Sequence, residues 1–522
     1  MTTQVPQKKD RLLRWFRKYH KWPGLIFAFG ILSFSMSGIV LNHREFFSSV
    51  DVNRKWLPRN YHYNNWNFAA VKSFVRLPDD SLLIFGNIGI WKTDSNFTSF
   101  HDFNKGFPKG IDNRKINSLL STQNNRLLAG TLFGLYEYND GWKKVTLPVN
   151  EDRIVAVIEK HDSLLVMTRS YLLIGNLKDK NFKFSKIKVP AGEDSNNKVG
   201  LFRTLWVIHS GEIYGFIGKL LVDFVGIIFI LITLSGIFYW LAPHILKRVK
   251  ESSKSNIKKV NRFSLKWHNR LGYWFILILF ITTITGMFLR PPLLIPIANS
   301  EVTKIKYSKL DDPNPWADKF RDLVYDADLK RFVIATSDGM YYSDDEFASI
   351  LHKYTVQPPV SVMGINLLDK TSKGEYMVGS FTGLFNWNPG KEIVVDNITK
   401  LPFDESSLGG SPFGAVAVAG YIGKPDGQRF VFDYNVGAIP IGKTQKFPPM
   451  PSELLQSSPI SLWNLALEIH TGRFWEFAIG PFYILLVPLT GIATLLILIT
   501  GIFSWWIPYR RRKRLSDSNV NQ

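Results

Sequence analysis

The chain of 522 residues contains no cysteine. That excludes thioether-attached haem, thiolate-held iron–sulfur clusters, disulfides and a cysteine nucleophile. It also lacks a Walker loop, a dinucleotide-binding glycine fingerprint after a strand and an HExxH motif. Nothing therefore points to a nucleotide or flavin site. Histidine is scarce, with ten in all. Without thiols it is the natural ligand for any redox metal. Acidic charge is short as well, 43 Asp and Glu against 64 Lys and Arg, a net charge of +21.

The basic residues are clustered. The N-terminus carries Lys8, Lys9, Arg11, Arg14, Arg17, Lys18 and Lys21. A middle segment carries Lys247, Arg248, Lys250, Lys254, Lys258, Lys259, Arg262, Lys266 and Arg270, and the tail is basic from Arg510 to Arg514. Each cluster abuts an uncharged run: Pro23–Leu41, Phe224–Leu246, Leu271–Leu289 or Phe477–Tyr509. Such runs reach the ~20 residues that span a bilayer, and positive flanks mark its cytoplasmic side. The charge is topological, and no nucleic-acid partner is expected. Asn42-His-Arg-Glu45 follows the first run with no cleavage site, so that run reads as a retained anchor.

The expected order is a basic cytoplasmic N-terminus (1–22), a first transmembrane segment (23–43) and a β-rich extracytoplasmic insert (44–208). A second segment (209–243), a basic cytoplasmic loop (244–270) and a third segment (271–290) follow. A second β-rich insert (291–469), a fourth segment (470–508) and a basic tail (509–522) complete it. The fold class is a membrane α-helical bundle of four transmembrane helices, a duplicated helix pair, with two extracytoplasmic inserts.

The duplication is explicit. Tyr19-His20-Lys-Trp-Pro-Gly24 and Ser37-Gly38 match Trp267-His268-Asn-Arg-Leu-Gly272 and Thr285-Gly286, with eighteen residues from His to the later Gly in each copy. Ile208-His209-Ser-Gly211 matches Ile469-His470-Thr-Gly472, and Ser235-Gly236 matches Thr500-Gly501. At ~1.5 Å per residue, the twenty-three residues from His20 to His43 make about 35 Å of helix, enough to set them at opposite membrane faces. Two layers are expected: His20 with His268 inside, and His43, His209 and His470 outside. A b-type haem takes two axial imidazoles from facing helices, so each layer can hold one. His43 has no counterpart, since Pro291 occupies the matching position; it reads as a ligand or as a substrate-side residue. The recurrent glycines allow close helix packing and, equally, the approach of a flat macrocycle. Lys219 with Asp223, and more loosely Arg473 with Glu476, read as ion pairs, with a haem propionate as the alternative partner of Lys219 or Arg473.

Both inserts read as hairpins. Leu82–Trp91 is echoed by Leu127–Tyr136, and Val333–Tyr341 by Tyr376–Phe385, each a strand, a small-residue turn and a strand ending in an aromatic. Gly86 to Gly130 and Thr336 to Ser380 are both forty-four residues apart, a propeller-blade period. Weaker matches fall at Leu164–Gly175 and Ala415–Ile422. Three or four blades per insert are too few to close a ring alone. One split β-propeller-like domain is expected, and two separate small β domains are the alternative.

Taken together, His20-Lys-Trp-Pro-Gly24, Ser37-Gly38, His209-Ser-Gly211, Ser235-Gly236, His268, His470-Thr-Gly472 and Thr500-Gly501 resemble the PepSY-associated transmembrane family of iron-regulated bacterial membrane proteins. The resemblance covers the membrane segments, about a quarter of the chain. It implies an inner-membrane protein with cytoplasmic termini and large periplasmic loops. It further implies haem b, two copies, bound by His20, His209, His268 and His470, with His43 as a further candidate. The implied activity is reduction of a ferric siderophore or similar ferric complex, with electrons from a quinol or a cytoplasmic reductase. No residue need act as acid or base. The family usually carries a small α/β domain in its outer loops where propeller-like blades stand here, so the substrate is left open. The rival reading is a haem-free membrane sensor or scaffold whose β domain binds a ligand or a protein.

Overall fold

The computed structural model describes residues 8–520 apart from 152, 299, 361–363, 405–413, 425–426 and 443–444, with side chains described from 11 to 510. Lys8, Lys9 and the tail charges at 511–514 lie outside the described side chains. The chain divides into two compact units. A helical unit comprises Met1–Phe47, Asn197–Asp311 and Leu462–Gln522, and a β unit comprises Ser48–Asn196 and Asp312–Ser461.

The helical unit contains α1 (Lys8–Ile26), α2 (Ala28–Asn42), α3 (Leu201–Ser210), α4 (Gly215–Leu246), α5 (Glu251–Trp274), α6 (Ile276–Met287), α7 (Leu462–His470) and α8 (Leu486–Val520). Segments Glu212–Leu246 and Arg473–Arg510 are long and apolar enough to cross a membrane. The other two expected spans are not straight. Between α1 and α2 the axis bends by 60°, and between α5 and α6 by 70°. The breaks fall at Phe27 (φ −94°, ψ 1°) and Phe275 (φ −106°, ψ 9°), each seven residues past its histidine. Both residues sit in the sparsely populated bridge region, three residues beyond Gly24 and Gly272, where glycine weakens the helix. The straight 35 Å rod from His20 to His43 is therefore replaced by two angled pieces. Helix α6 alone, with twelve residues, reaches only about 18 Å.

The short helices α3 and α7 carry His209 and His470 in their last turns. Each is stopped by a glycine in the left-handed region, Gly211 and Gly472, both at φ +77°. A side chain at Gly211 would also strike the Gly218 carbonyl at 2.0 Å. The matching His-Ser-Gly and His-Thr-Gly triplets are thus helix ends that position a histidine. In the bundle α1 lies along α8, α5 along α4, α2 against α4 and α7, and α3 and α8 against α6.

Among the described residues the β unit is built on six antiparallel sheets of three or four strands, three from each stretch of chain, besides the two-stranded pair Asp51–Val52 with Ile460–Ser461. Their leading strands are Ser73–Arg76, Ile116–Ser121, Ile154–Lys160, Phe320–Asp326, Ile365–Ser372 and Val418–Gly423. Each leading strand lies beside that of the next sheet. The sixth lies beside the first, where the Tyr421 N–H donates to the Lys72 carbonyl at 2.9 Å. Side-chain amides add links: Asn117 to the Ile154 carbonyl and Asn366 to the Val418 carbonyl, both 2.8 Å. Large apolar side chains, among them Trp66, Trp91, Trp387, Phe332 and Phe432, fill the spaces within and between sheets. The hairpins expected at 82–91, 127–136, 164–175, 333–341 and 376–385 are present. Ala415–Ile422 is not a hairpin. It contributes one strand, whose partner is Arg429–Asp433.

Candidate functional site

Four of the five singled-out histidines meet in pairs. His20 on α1 faces His268 on α5, ring centroids 5.8 Å apart and planes crossing at 83°. His209 on α3 faces His470 on α7, centroids 6.0 Å apart at 48°. Among the described residues, every hydrogen bond to these four rings is made at Nδ1. His20 Nδ1 lies 2.9 Å from the Ile497 carbonyl, His268 2.9 Å from that of Ile232, His209 2.9 Å from that of Thr282 and His470 3.0 Å from that of Phe34. A carbonyl only accepts, so Nδ1 carries the proton and Nε2 keeps its lone pair. This outer-shell arrangement prepares imidazole for metal ligation.

The four acceptors follow one rule. Three residues after each carbonyl stands a hydroxyl residue, and a glycine follows it: Phe34, Ser37, Gly38; Ile232, Ser235, Gly236; Thr282, Thr285, Gly286; Ile497, Thr500, Gly501. The carbonyl, hydroxyl and glycine share one helix face, as i, i+3 and i+4 positions do. Ser37 Oγ and Ser235 Oγ lie 3.1 Å from Nδ1 of His470 and His268, and Thr285 Oγ1 lies 3.4 Å from Nδ1 of His209. A Cβ on the glycine would meet the ring Cε1 at 3.2 Å (Gly38), 3.3 Å (Gly236), 2.6 Å (Gly286) and 2.9 Å (Gly501). Each Ser/Thr-Gly motif is therefore a cradle for a histidine from another helix. The sequence displayed all four motifs, but reading the glycines as packing or macrocycle positions missed this role. The regular spacing was the available signal.

The pairs lie at two levels. Gly226 approaches Ile39 and the Ser35 carbonyl on α2, next to the cradle of His470, while Gly236 holds His268. Gly491 approaches Met287, beside the cradle of His209, while Gly501 holds His20. Both intervals are ten residues, about 15 Å along the helix.

His43 stands outside the pairs. Its Nε2 lies 2.6 Å from Asp223 Oδ2, and Asn42 Nδ2 donates to Asp223 Oδ1 at 2.8 Å. Asp223 is buried, so the two donors satisfy a carboxylate set within an apolar helix. The other expected ion pairs are also re-partnered. Lys219 lies 4.0 Å from Glu212, and Arg473 forms a two-pronged bond with Glu468 instead of Glu476. Arg290 is within electrostatic range of Arg473, Glu468 and His470, and its Nε is buried with no hydrogen-bond partner among the described residues.

The fold and this site define a membrane protein whose helical unit is a duplicated, histidine-bearing pair. Residues 185–507 match the family of the PepSY-associated TM region, and the chain belongs to it. The matched span holds His209, His268 and His470, while His20 and His43 precede it. No curated protein matches the chain. Among solved structures, the extracellular domain of a proposed one-component system from B. thetaiotaomicron is 12% identical, covering 77% of this chain and 36% of that chain at a TM-score of 0.35. A second structure, of the same B. thetaiotaomicron protein described as a hybrid two-component system, gives the same figures. YCF48 bound to D1 peptide is 9% identical, covering 74% of this chain and 98% of that chain at a TM-score of 0.31. This chain thus spans about a third of the length of the first of these.

Proposed function

We propose that this protein is a haem-binding electron-transfer protein of the inner membrane that reduces a ferric siderophore or another ferric complex on the periplasmic side. The observation that carries the reading is the pair of imidazole pairs, each ring tied at Nδ1 and free at Nε2. Two imidazoles sharing one metal through bonds of about 2 Å would have ring centres about 6 Å apart. The distances of 5.8 and 6.0 Å fit that requirement. Bound there, two b-type haems would supply one-electron couples at two depths in the membrane.

The chain's own contribution is positional. His20 with His268, and His209 with His470, would hold the two groups through their Nε2 nitrogens. The backbone carbonyls fix their tautomer, and the four glycines leave room for the rings. Apolar helices exclude water, and Arg290 and Arg473 place positive charge near the His209–His470 level. His268 lies by Ser235, toward the end of α4 that leads into Lys247, Arg248 and Lys250. The basic flanks therefore support a cytoplasmic His20–His268 level and a periplasmic His209–His470 level, with both termini cytoplasmic. We take the β unit as a six-bladed split propeller, supported by its six sheets, the neighbour order of their leading strands and the Tyr421–Lys72 bond. Electrons come from a quinol or a cytoplasmic reductase. Ferrous iron, held weakly by hard oxygen ligands, then leaves the chelate.

The test is the visible spectrum of the protein purified in detergent from haem-replete cells, with pyridine haemochrome quantitation. About two haems per chain, reduced by dithionite and lost stepwise in His20→Ala and His209→Ala, are expected. A colourless protein would overturn the reading and leave the haem-free sensor or scaffold.

A further inference from the structure

The β unit carries a cavity of about 400 Å³ that the helical unit's chemistry does not use. Its volume falls in the ~300–1,000 Å³ range of small-molecule sites. It is lined by Asp51, Asn104, Phe107, Lys109, Arg114 and Gln456, among others. Asp51–Val52 pairs with Ile460–Ser461, so the cavity is built where the chain enters and leaves the unit.

Its electrostatics are one-sided. The Asp51 carboxylate is already engaged, accepting the Ile111 N–H at 3.1 and 3.2 Å. Lys115 and Asp112, next to the cavity, neutralise one another at 2.8 Å. Lys109 is exposed and makes no ion pair among the described residues. Arg114 donates Nη2 to the Ser457 carbonyl, and its Nε is buried without a hydrogen-bond partner among the described residues. Arg114 also acts electrostatically on the Asp51 carboxylate, so the lining sets two cations, Lys109 and Arg114, against one carboxylate. The apolar wall is Phe107, stacked on Trp142 at 5.1 Å.

A guanidinium with one N–H left unpartnered, beside an exposed ammonium, offers donors of the kind that recognise carboxylates. We infer that this cavity binds a small anionic ligand. Resting on the function proposed above, it follows that the ferric complex reduced is an anionic, carboxylate-type chelate and not a cationic one. Gln456 and the aromatic wall suit the remainder of such a chelate, which is compact and partly apolar.

The test is equilibrium dialysis of the full chain in detergent against ferric citrate, against ferrioxamine B, whose free ammonium makes it cationic, and against inorganic phosphate. The expected result is one salt-sensitive site for ferric citrate and no binding of ferrioxamine B. Lys109→Glu reverses an exposed charge without touching the core and should weaken ferric citrate binding about tenfold or more. Arg114→Gln removes the guanidinium charge and should weaken it as well, with the thermal transition of Lys109→Glu unchanged as the folding control. Equal binding of ferrioxamine B, displacement of the chelate by phosphate at equal concentration, or parental affinity in both variants would each overturn the inference. Haem content of the same samples separates the two readings. Colourless protein that binds ferric citrate refutes the electron-transfer function and leaves the cavity. Haem-loaded protein indifferent to both substitutions refutes the cavity alone.

Discussion

Replacing Gly286 by alanine probes a histidine cradle at its tightest point. The new Cβ would lie 2.6 Å from His209 Cε1 and 3.1 Å from its Nδ1, whereas carbon contacts settle near 3.5–4.0 Å. The ring must then retreat by about 1 Å. His209 Nδ1 sits 2.9 Å from the Thr282 carbonyl, and a shift of that size takes it beyond the ~3.2 Å range of an N–H···O bond. Losing the bond costs about 1 kcal/mol, and overpacking costs about 1–3 kcal/mol more. Alanine's better helix propensity returns about 1 kcal/mol, for a net destabilisation of about 1–3 kcal/mol. The functional effect is larger, because ligand geometry tolerates only about 0.5 Å. On the proposed haem function, Gly286→Ala should therefore empty the His209–His470 site and spare the other. Gly236→Ala is the control: its Cβ meets His268 Cε1 at 3.3 Å, a contact relieved by a few tenths of an ångström, so both haems should remain. Gly501→Ala (2.9 Å) and Gly38→Ala (3.2 Å) should fall between them in that order. The assay is haem per chain by pyridine haemochrome across the four variants. Equal loss in Gly236→Ala and Gly286→Ala, or full haem content in Gly286→Ala, would refute the cradle.

Three further outcomes are expected. The imidazole planes cross at 83° in one pair and 48° in the other, so on the proposed haem function electron paramagnetic resonance of the oxidised protein should show two distinct low-spin signals. The more anisotropic should vanish in His268→Ala; two identical signals would contradict the geometry. His43→Gln should keep both haems, because His43 serves Asp223. Asp223→Ala strands the Asn42 and His43 donors, at about 1–3 kcal/mol each if left unpaired, and should lower the melting temperature of the haem-loaded protein; haem loss in His43→Gln would restore it as a ligand. In the β unit, burial among the leading strands pushes Asp322 and Asp369 up to about 6, against Lys72's opposing pull. The folded carboxyls then hold protons that the unfolded chain, near 3.8, has released. Stability of the β unit should fall as pH rises from about 4 to 6 and level off above. Thermal unfolding followed by near-ultraviolet circular dichroism should show this decline, shallower in Asp322→Asn, and a rise across that window would oppose the assignment.

The sequence alone determined the local rules. Period and spacing exposed the duplicated helix pair, the apolar runs, the basic flanks and five of the β hairpins, because helix and strand repeats are written in neighbouring residues. It also supplied the four histidines and the four Ser/Thr-Gly motifs, though not which motif holds which ring. The tertiary structure decided that. The cradle of His470 is Phe34–Gly38, more than 430 residues away in the chain, and nothing local distinguishes one Ser-Gly from another. Packing also decided that the segments bearing His20 and His268 bend at Phe27 and Phe275, and that His43 Nε2 is engaged by Asp223. Hydrophobic periodicity reports that a helix is buried on one face. Only long-range contact specifies which partner it is buried against, and with it which imidazoles meet.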